Sequence, residues 1–349
     1  AVLDKYGEVA LDVAKDGFQI DEHIFMLFDG GIPFTMTKST GIGIADFAQL
    51  LYKHKPDCTL VVGDRFEMFA FATASAFMNI PVIHTMGGEV SGTIDESIRH
   101  AITKLAHLHF PATEVARENI IRMGENPKYV FNFGCPRVDT IKRFLSHNYE
   151  KELNNLVKSE GVGDSFTINE NFLLVLQHPV TTEYGSGETH INETLSAIQD
   201  IQGEKDVGVI LLWPNADAGT EDISRGIRKM REKHPLTKFH AFKNLPLPLY
   251  IHLMNRTACL VGNSSSGIRD GAFIGTPVVN IGSRQEGREH GKNVINVKYN
   301  YKEIKDAVNH QLSHGKYEQD VIYGDGAASK RIVETIKNTT LHPQKTLHY

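Results

Sequence analysis

Three carboxylates stand at the ends of two short apolar runs in the first half of this chain. Val61-Val-Gly-Asp64-Arg65-Phe66 sets an acid and an arginine directly after one run. His84-Thr-Met-Gly-Gly-Glu89 ends the next, and a glycine-containing loop leads on to Asp95. Acid–base chemistry at an unactivated carbon needs such a group, because one carboxyl must be held protonated while another stays ionised. Thr93 and Glu96 have capping-box spacing, so a helix is expected from Ile94. Asp95 would then also serve as a first-turn acid that the helix dipole favours.

The second half carries anion-binding chemistry. Between Ala258 and Pro277 an apolar run stops at Gly262, Asn263 and three serines follow, and a small-residue helix begins. Such a turn aims the amides and positive dipole of a helix N-terminus at a ligand, with the hydroxyls of Ser264 and Ser265 beside them, which suits a pyrophosphate. A plain serine N-cap would look the same but leaves Asp270 unexplained, about a turn and a half into the helix, where a carboxylate can hold ribose hydroxyls. Arg284 and Arg288 follow the next apolar run, and arginine suits bidentate phosphate contacts. His178, ahead of Pro179 at the end of Phe172 to Gln177, is pinned at a strand end. Asn215 and Asp217 follow another run and would bind sugar hydroxyls or build an Asx turn.

These residues need a scaffold that delivers strand ends. Short β-rich runs alternate with stretches of helical period, which argues for βαβ units and parallel sheets. Strands are expected at 58–63, 81–85, 108–110 and 129–134, with helices at 65–78, 94–107 and 113–123. A second set of strands is expected at 172–177, 207–213, 239–242, 258–262 and 277–281. The polar stretch from Lys151 to Asn171 reads as a hinge, giving a boundary near residue 165 and domains over 1–165 and 166–349. Two doubly wound α/β domains of this kind are expected to bind ligand in a cleft at the carboxyl ends of their sheets. Gly41-Ile-Gly43-Ile-Ala-Asp46 follows no strand and lacks a third glycine, so it is not read as a dinucleotide loop.

Composition agrees with an ordinary globular protein. At 349 residues, two domains are the natural division, and 41% hydrophobic with 23% charged residues excludes a disordered or membrane-embedded chain. A net charge of −5 without basic blocks argues against nucleic acid as partner. Cys58, Cys135 and Cys259 are odd in number and lack zinc spacing, so they read as thiols of a reducing, cytoplasmic compartment. No run approaches the ~18 apolar residues of a membrane span. The histidines are scattered, and the one close pair, His107 and His109, alternates as a strand would.

The sequence resembles the hydrolysing UDP-N-acetylglucosamine 2-epimerases of sialic acid and related nonulosonic acid biosynthesis. The resemblance is carried by Gly63-Asp-Arg-Phe66, Gly87 to Asp95 with Ile98-Arg-His100, Gln177-His-Pro179, Pro214 to Gly219, Gly262-Asn-Ser-Ser265 and Arg284-Gln-Glu-Gly-Arg288. It implies two Rossmann-like domains facing a cleft, as in glycosyltransferase-B folds, with UDP held mainly by the C-terminal one. It further implies a UDP-sugar substrate, neither NAD nor metal, and a homodimer or homotetramer. The implied reaction removes the C2 proton while UDP leaves C1, giving a 2-acetamidoglucal that water converts to N-acetylmannosamine. Asp64 and Asp95 fall on acid–base positions, with Glu89 beside them, and His178 falls at the sugar–phosphate junction. Ser264, Ser265, Asp270 and Arg284 fall on nucleotide positions and Arg225 near the cleft; Arg65, Asn263 and Arg288 belong to the matched motifs. Relatives open with a strand–helix–strand unit that this chain is expected to lack, and the last helix is expected to pack back on the first domain. Met86 stands where many relatives carry a catalytic glutamate, and Asp270 where glutamate is usual. A nucleotide-sugar glycosyltransferase and a catalytically impaired UDP-sugar binder are the rival readings.

Overall fold

A computed structural model of the chain describes residues 13–14, 17–28, 32–91, 94–164, 171–214, 219–233 and 238–348. The chain forms two compact units, one of residues 1–89, 95–132 and 338–349, the other of 90–94 and 133–337.

In the first unit, β1 (Thr59–Val62), β2 (Val82–Thr85) and β3 (Leu108–Phe110) form a parallel sheet in the order β1-β2-β3. Among the described residues it is accompanied by α1 (Pro33–His54), α2 (Phe66–Phe77), α3 (Ile94–Leu105) and α4 (Glu114–Arg122). Val62 pairs with Thr85, and Thr85 with Phe110, so the strands finish level. The loops after β1 and β2, with Asp64 and Glu89, therefore leave the same edge of the sheet. Gly88 makes the second loop possible: its φ is 77°, and a Cβ there would lie 2.1 Å from the Ala116 carbonyl oxygen on α4. On α2, Ala70, Ala72 and Ala74 are buried, and the Phe71 ring packs tilted against Phe47 of α1, centroids 4.8 Å apart.

The stretch 129–134 is not the strand its sequence suggests. Pro127 opens a 3-10 turn capped by Asn126, whose side chain accepts from the Lys128 amide at 3.0 Å, and only an isolated bridge from Val130 to His109 follows. Gly41 to Asp46 lies inside α1.

The second unit contains β4 (Val162–Gly163), β5 (Phe172–Leu176), β6 (Gly208–Leu212), β7 (Phe239–Phe242), β8 (Cys259–Gly262), β9 (Val278–Ile281) and β10 (Val294–Val297). Its helices are α5 (Pro136–Leu145), α6 (Glu150–Ser159), α7 (Gly187–Glu204), α8 (Thr220–Lys233), α9 (Leu247–Arg256), α10 (Ser265–Ile274), α11 (Tyr301–His314) and α12 (Ala328–Asn338). The sheet runs β10-β9-β8-β5-β6-β7-β4, parallel except where β4 meets β7. β5, β6, β8 and β9 are buried on both faces, as a sheet covered by helices requires. Successive strands leave β5 toward β6 on one side and β8 on the other, a topological switch point, and ligands of such sheets bind at the carboxyl ends of the strands there.

The division between units falls near residue 132 rather than 165. Helices α5 and α6 pack on α9 and α10, and β4 pairs with β7, so residues 133–164 belong with the second unit. The polar 151–171 stretch thus lies within that unit. The last helix, α12, also belongs there; the chain returns to the first unit only from residue 338. Among the described residues no helix is long and apolar enough to cross a membrane.

Candidate functional site

At the switch point of the second unit, β8 closes on β5 through Gly262. Its φ is 146°, and a Cβ there would sit 2.1 Å from the Leu176 carbonyl oxygen, so only glycine permits the approach. Asn263, fully buried, then holds the end of β5: its Oδ1 accepts from the His178 amide at 2.7 Å and its Nδ2 donates to the His178 carbonyl at 2.9 Å. Its own carbonyl accepts from Arg284 Nη1 at 3.2 Å and Gln285 Nε2 at 3.0 Å. Asn263, expected to bind substrate, thus engages both ends of its side-chain amide with the framework.

A cavity of about 330 Å³ opens here, lined by His178, Ser264, Ser265, Ser266, Arg284, Arg137, Lys243, Tyr250 and Trp213, among others. Ser264 is the N-cap of α10, its hydroxyl accepting from the Ser266 amide at 3.3 Å and lying 2.8 Å from the Ser266 hydroxyl. Ser266 in turn contacts the Tyr250 phenol. The capping hydroxyl is thus engaged, and the first-turn amides and Ser265 are what the helix offers an anion. Two arginines and a lysine on the wall match that charge. His178 is pushed down to about 3, first by burial and then by the Arg284 guanidinium, so it is a neutral imidazole on a cationic wall.

Arg137, which no motif singled out, accounts for Asp270. One carboxylate oxygen of Asp270 accepts from Arg137 Nε at 3.2 Å and Nη2 at 3.1 Å, and the acid is 3% exposed. Burial pushes the Asp270 carboxyl up and Arg137 opposes it, with the rise prevailing. The arginine lines the cavity, and Asp270 stands behind it as the arginine's partner, not itself among the lining residues described. Arg225 sits on α8 with Glu188 at 3.1 Å and Asp222, half its side chain in solvent, and does not line the cavity either. Arg288, in the loop between β9 and β10, is buried and likewise not among the lining residues. Asn215 and Asp217 lie outside the described residues.

In the first unit, Asp64 follows Gly63 and forms an ion pair with Arg99 of α3, whose side chain is 1% exposed. Arg99 also donates from Nη1 to the Glu89 carbonyl at 2.6 Å. One guanidinium therefore ties both strand-end loops together. Beneath them, His84 Nε2 lies 2.8 Å from the Gly63 carbonyl and Nδ1 3.3 Å from the Thr103 hydroxyl. Burial brings His84 down to about 3, so the ring is neutral and Nε2–H is the donor to Gly63. Glu89 is buried, and Asp95 is half-buried in the first turn of α3; Thr93, its expected cap, lies outside the described residues. Met86 holds a left-handed φ of 63°, with its amide donating to Phe110 at 2.9 Å. Arg65 is drawn aside to Glu67 at 3.1 Å, with 55% of its side chain exposed. No group of His, Cys, Asp and Glu fit to hold a metal ion occurs among the described residues.

Known proteins share this architecture. The UDP-N-acetylglucosamine 2-epimerase family model matches residues 4–337. The UDP-N,N'-diacetylbacillosamine 2-epimerase (hydrolyzing) of Legionella pneumophila is 34% identical, the alignment covering 97% of this chain and 86% of that protein. The UDP-N-acetylglucosamine 2-epimerase of Neisseria meningitidis is 31% identical over 97% of this chain and 85% of its own length. In fold, the chain matches the N. meningitidis UDP-GlcNAc 2-epimerase bound to UDP-GlcNAc with a TM-score of 0.79 at 18% identity, covering 96% of this chain and 90% of that one. The Methanocaldococcus jannaschii enzyme in complex with UDP-GlcNAc and UDP matches with a TM-score of 0.78 at 19% identity, over 96% of this chain and 88% of the other. The parallel sheets of both units carry that glycosyltransferase-B-like, doubly Rossmann-like plan. By the extent of the family match and the identity to these enzymes, the chain belongs to the UDP-N-acetylglucosamine 2-epimerase family and is an enzyme of it.

Proposed function

We propose that this enzyme hydrolyses and epimerises a UDP-2-acetamido sugar, UDP-N-acetylglucosamine or a 2,4-diacetamido relative, to the free 2-epimeric sugar and UDP. The observation that carries the reading is the cavity at the switch point, where the N-terminus of α10, Arg284, Arg137 and Lys243 offer a pyrophosphate a cationic wall. The name of the L. pneumophila relative supports both the hydrolysing outcome and the diacetamido alternative.

In this reading the second unit holds UDP, and the first unit's acids move protons. A base removes the C2 proton as the C1–O bond to UDP breaks; the electron pair forms the C1=C2 bond and the diphosphate leaves with the charge. Neutral His178 and Arg284 stabilise that charge as it develops on the leaving oxygen. Water then supplies hydroxyl to C1 and a proton reaches C2 from the opposite face. Asp64, Glu89 and Asp95 are the candidate acids and bases, with Asp64 oriented by its ion pair to Arg99.

The test is incubation with either UDP-sugar in deuterated water and no acceptor, read by NMR. Free UDP and a C2-deuterated, inverted free sugar are expected. A released sugar retaining its C2 proton would overturn the elimination mechanism, and UDP bound without turnover would identify a non-catalytic binder.

A further inference from the structure

The first unit contains a second buried ionic cluster, remote in sequence from Asp64 and used by no step above. Glu125, 4% exposed, meets Lys104 Nζ at 2.6 Å, His109 Nε2 at 3.2 Å and, from the C-terminal tail, Lys345 Nζ at 2.7 Å. Lys345 also donates to the Ala106 carbonyl at 2.5 Å and the Thr103 carbonyl at 3.3 Å. Those carbonyls belong to the last turn of α3 and the residue just after it, where helical carbonyls lose their intrahelical donors, so the ammonium acts as a C-terminal cap in the favourable sense of the dipole. The tail is fixed at two further points: His107 Nε2 lies 2.8 Å from the Pro343 carbonyl, and the His348 amide donates to Gly124 at 3.0 Å. Burial pushes the Glu125 carboxyl up, but hydrogen bonds from His109, Lys104 and Lys345 outweigh it and bring it to about 2, so the cluster keeps its anion.

What Lys345 caps is the helix that carries Asp95 and Arg99. One turn back from the cap, the Thr103 hydroxyl donates to the Arg99 carbonyl at 3.1 Å and faces His84, which in turn holds the Gly63 carbonyl next to Asp64. We propose that Lys345 is a positioning residue, a clamp by which the C-terminal tail fixes α3 and through it the Asp64–Arg99 pair. This inference rests on Asp64 and Asp95 being the acid–base residues. It makes the tail part of the machinery for proton transfer, with no part in holding UDP.

The experiment compares Lys345→Ala, Lys345→Met, Lys345→Arg and Asp64→Asn in the full chain. Loss of the clamp should lower kcat about tenfold or more, the scale on which small misplacements act, with UDP affinity by calorimetry within about twofold and faster hydrogen exchange confined to 99–106. Lys345→Met, which keeps the stem, should behave like Lys345→Ala, while Lys345→Arg should recover kcat. Unchanged kcat in Lys345→Ala beside a collapsed kcat in Asp64→Asn overturns the clamp and leaves the acid–base reading standing. Parallel loss of kcat and UDP affinity also overturns it, as general unfolding. Full activity in Asp64→Asn overturns both. Should Lys345→Ala fail to fold, Glu125→Gln, which weakens the same clamp, takes its place under the same criteria.

Discussion

Asp64 is held by Arg99, a guanidinium buried to 1% exposure that also donates to the Glu89 carbonyl at 2.6 Å. Removing one partner of a buried pair strands the other. Arg99→Met should therefore cost about 3 kcal/mol or more in denaturant unfolding. Arg99→Lys keeps the charge but loses the two-pronged reach, so it should regain much of the stability and little of the kcat. Equal recovery of both would mean the pair is structural only.

Asp64→Asn and Asp95→Asn preserve shape while removing proton transfer. Each should lower kcat by about 10²-fold. Because the described residues lining the cavity proposed for UDP all belong to the second unit, calorimetric UDP affinity should hold in both variants. Lost affinity with intact kcat would reassign the residue to binding.

UDP alone should bind. Arg284→Ala and Arg137→Ala each delete a charge-assisted contact, worth roughly 1.5–3 kcal/mol of affinity. Ser265→Ala should cost less, since the amides of α10 remain. Arg225→Ala, with its side chain engaged by Glu188 and Asp222, should leave UDP affinity unchanged. Calorimetry that reversed the order of Arg137 and Arg225 would refute the cavity assignment.

Stability should fall on acidification. His84 and His178 lie at about 3 in the folded protein against an ordinary 6.5, in each case chiefly through burial. Between those values the unfolded chain binds more protons than the folded one. Stability contributed by each neutral ring is whole above pH 6.5 and is lost as pH falls toward 3, at about 1.4 kcal/mol per pH unit. Urea titrations at pH 7, 6 and 5 check this. His84→Gln should lower stability at pH 7 yet flatten the slope below it; an unchanged slope would show that the ring is protonated in the fold.

Met86 tests the strand-end loop twice. At φ 63° a side chain is strained, so Met86→Gly should gain about 1 kcal/mol in thermal unfolding if packing loss is small. Met86→Glu brings a like charge toward existing acids and should leave turnover equal or lower. A marked rise in turnover, together with full activity in Glu89→Gln, would show that this position and not Glu89 is where the missing acid belongs.

Much of this was legible in the sequence because strand ends are written locally. Apolar runs bounded by Gly63, Gly262 or Pro179 located β1, β5 and β8, and with them Asp64, Ser264 and His178. β10 escaped notice as a four-residue edge strand broken by Asn296, whose side chain pairs with Asn280 at 2.8 Å. Arg137 could not be read at all, since its partner Asp270 lies 133 residues away and only the fold joins them. Asn263 shows the opposite limit: sequence places an amide at the site but does not say whether it turns to a ligand or to the backbone of His178. Arg225 did leave a local signal in Asp222, three residues earlier on the same helix face.

The discontinuity of the first unit bears on how the chain is made. During synthesis, roughly 200 residues of the second unit separate Asn132 from the tail that carries Lys345. At ribosomal speeds of about 5–20 residues per second, α3 waits on the order of 10–40 s for its cap. The part that emerges first is thus completed last, and for that interval Glu125 must be satisfied by Lys104, His109 and water. A nascent-chain assay should find the first unit sensitive to protease until Lys345 has cleared the exit tunnel, and protected afterwards.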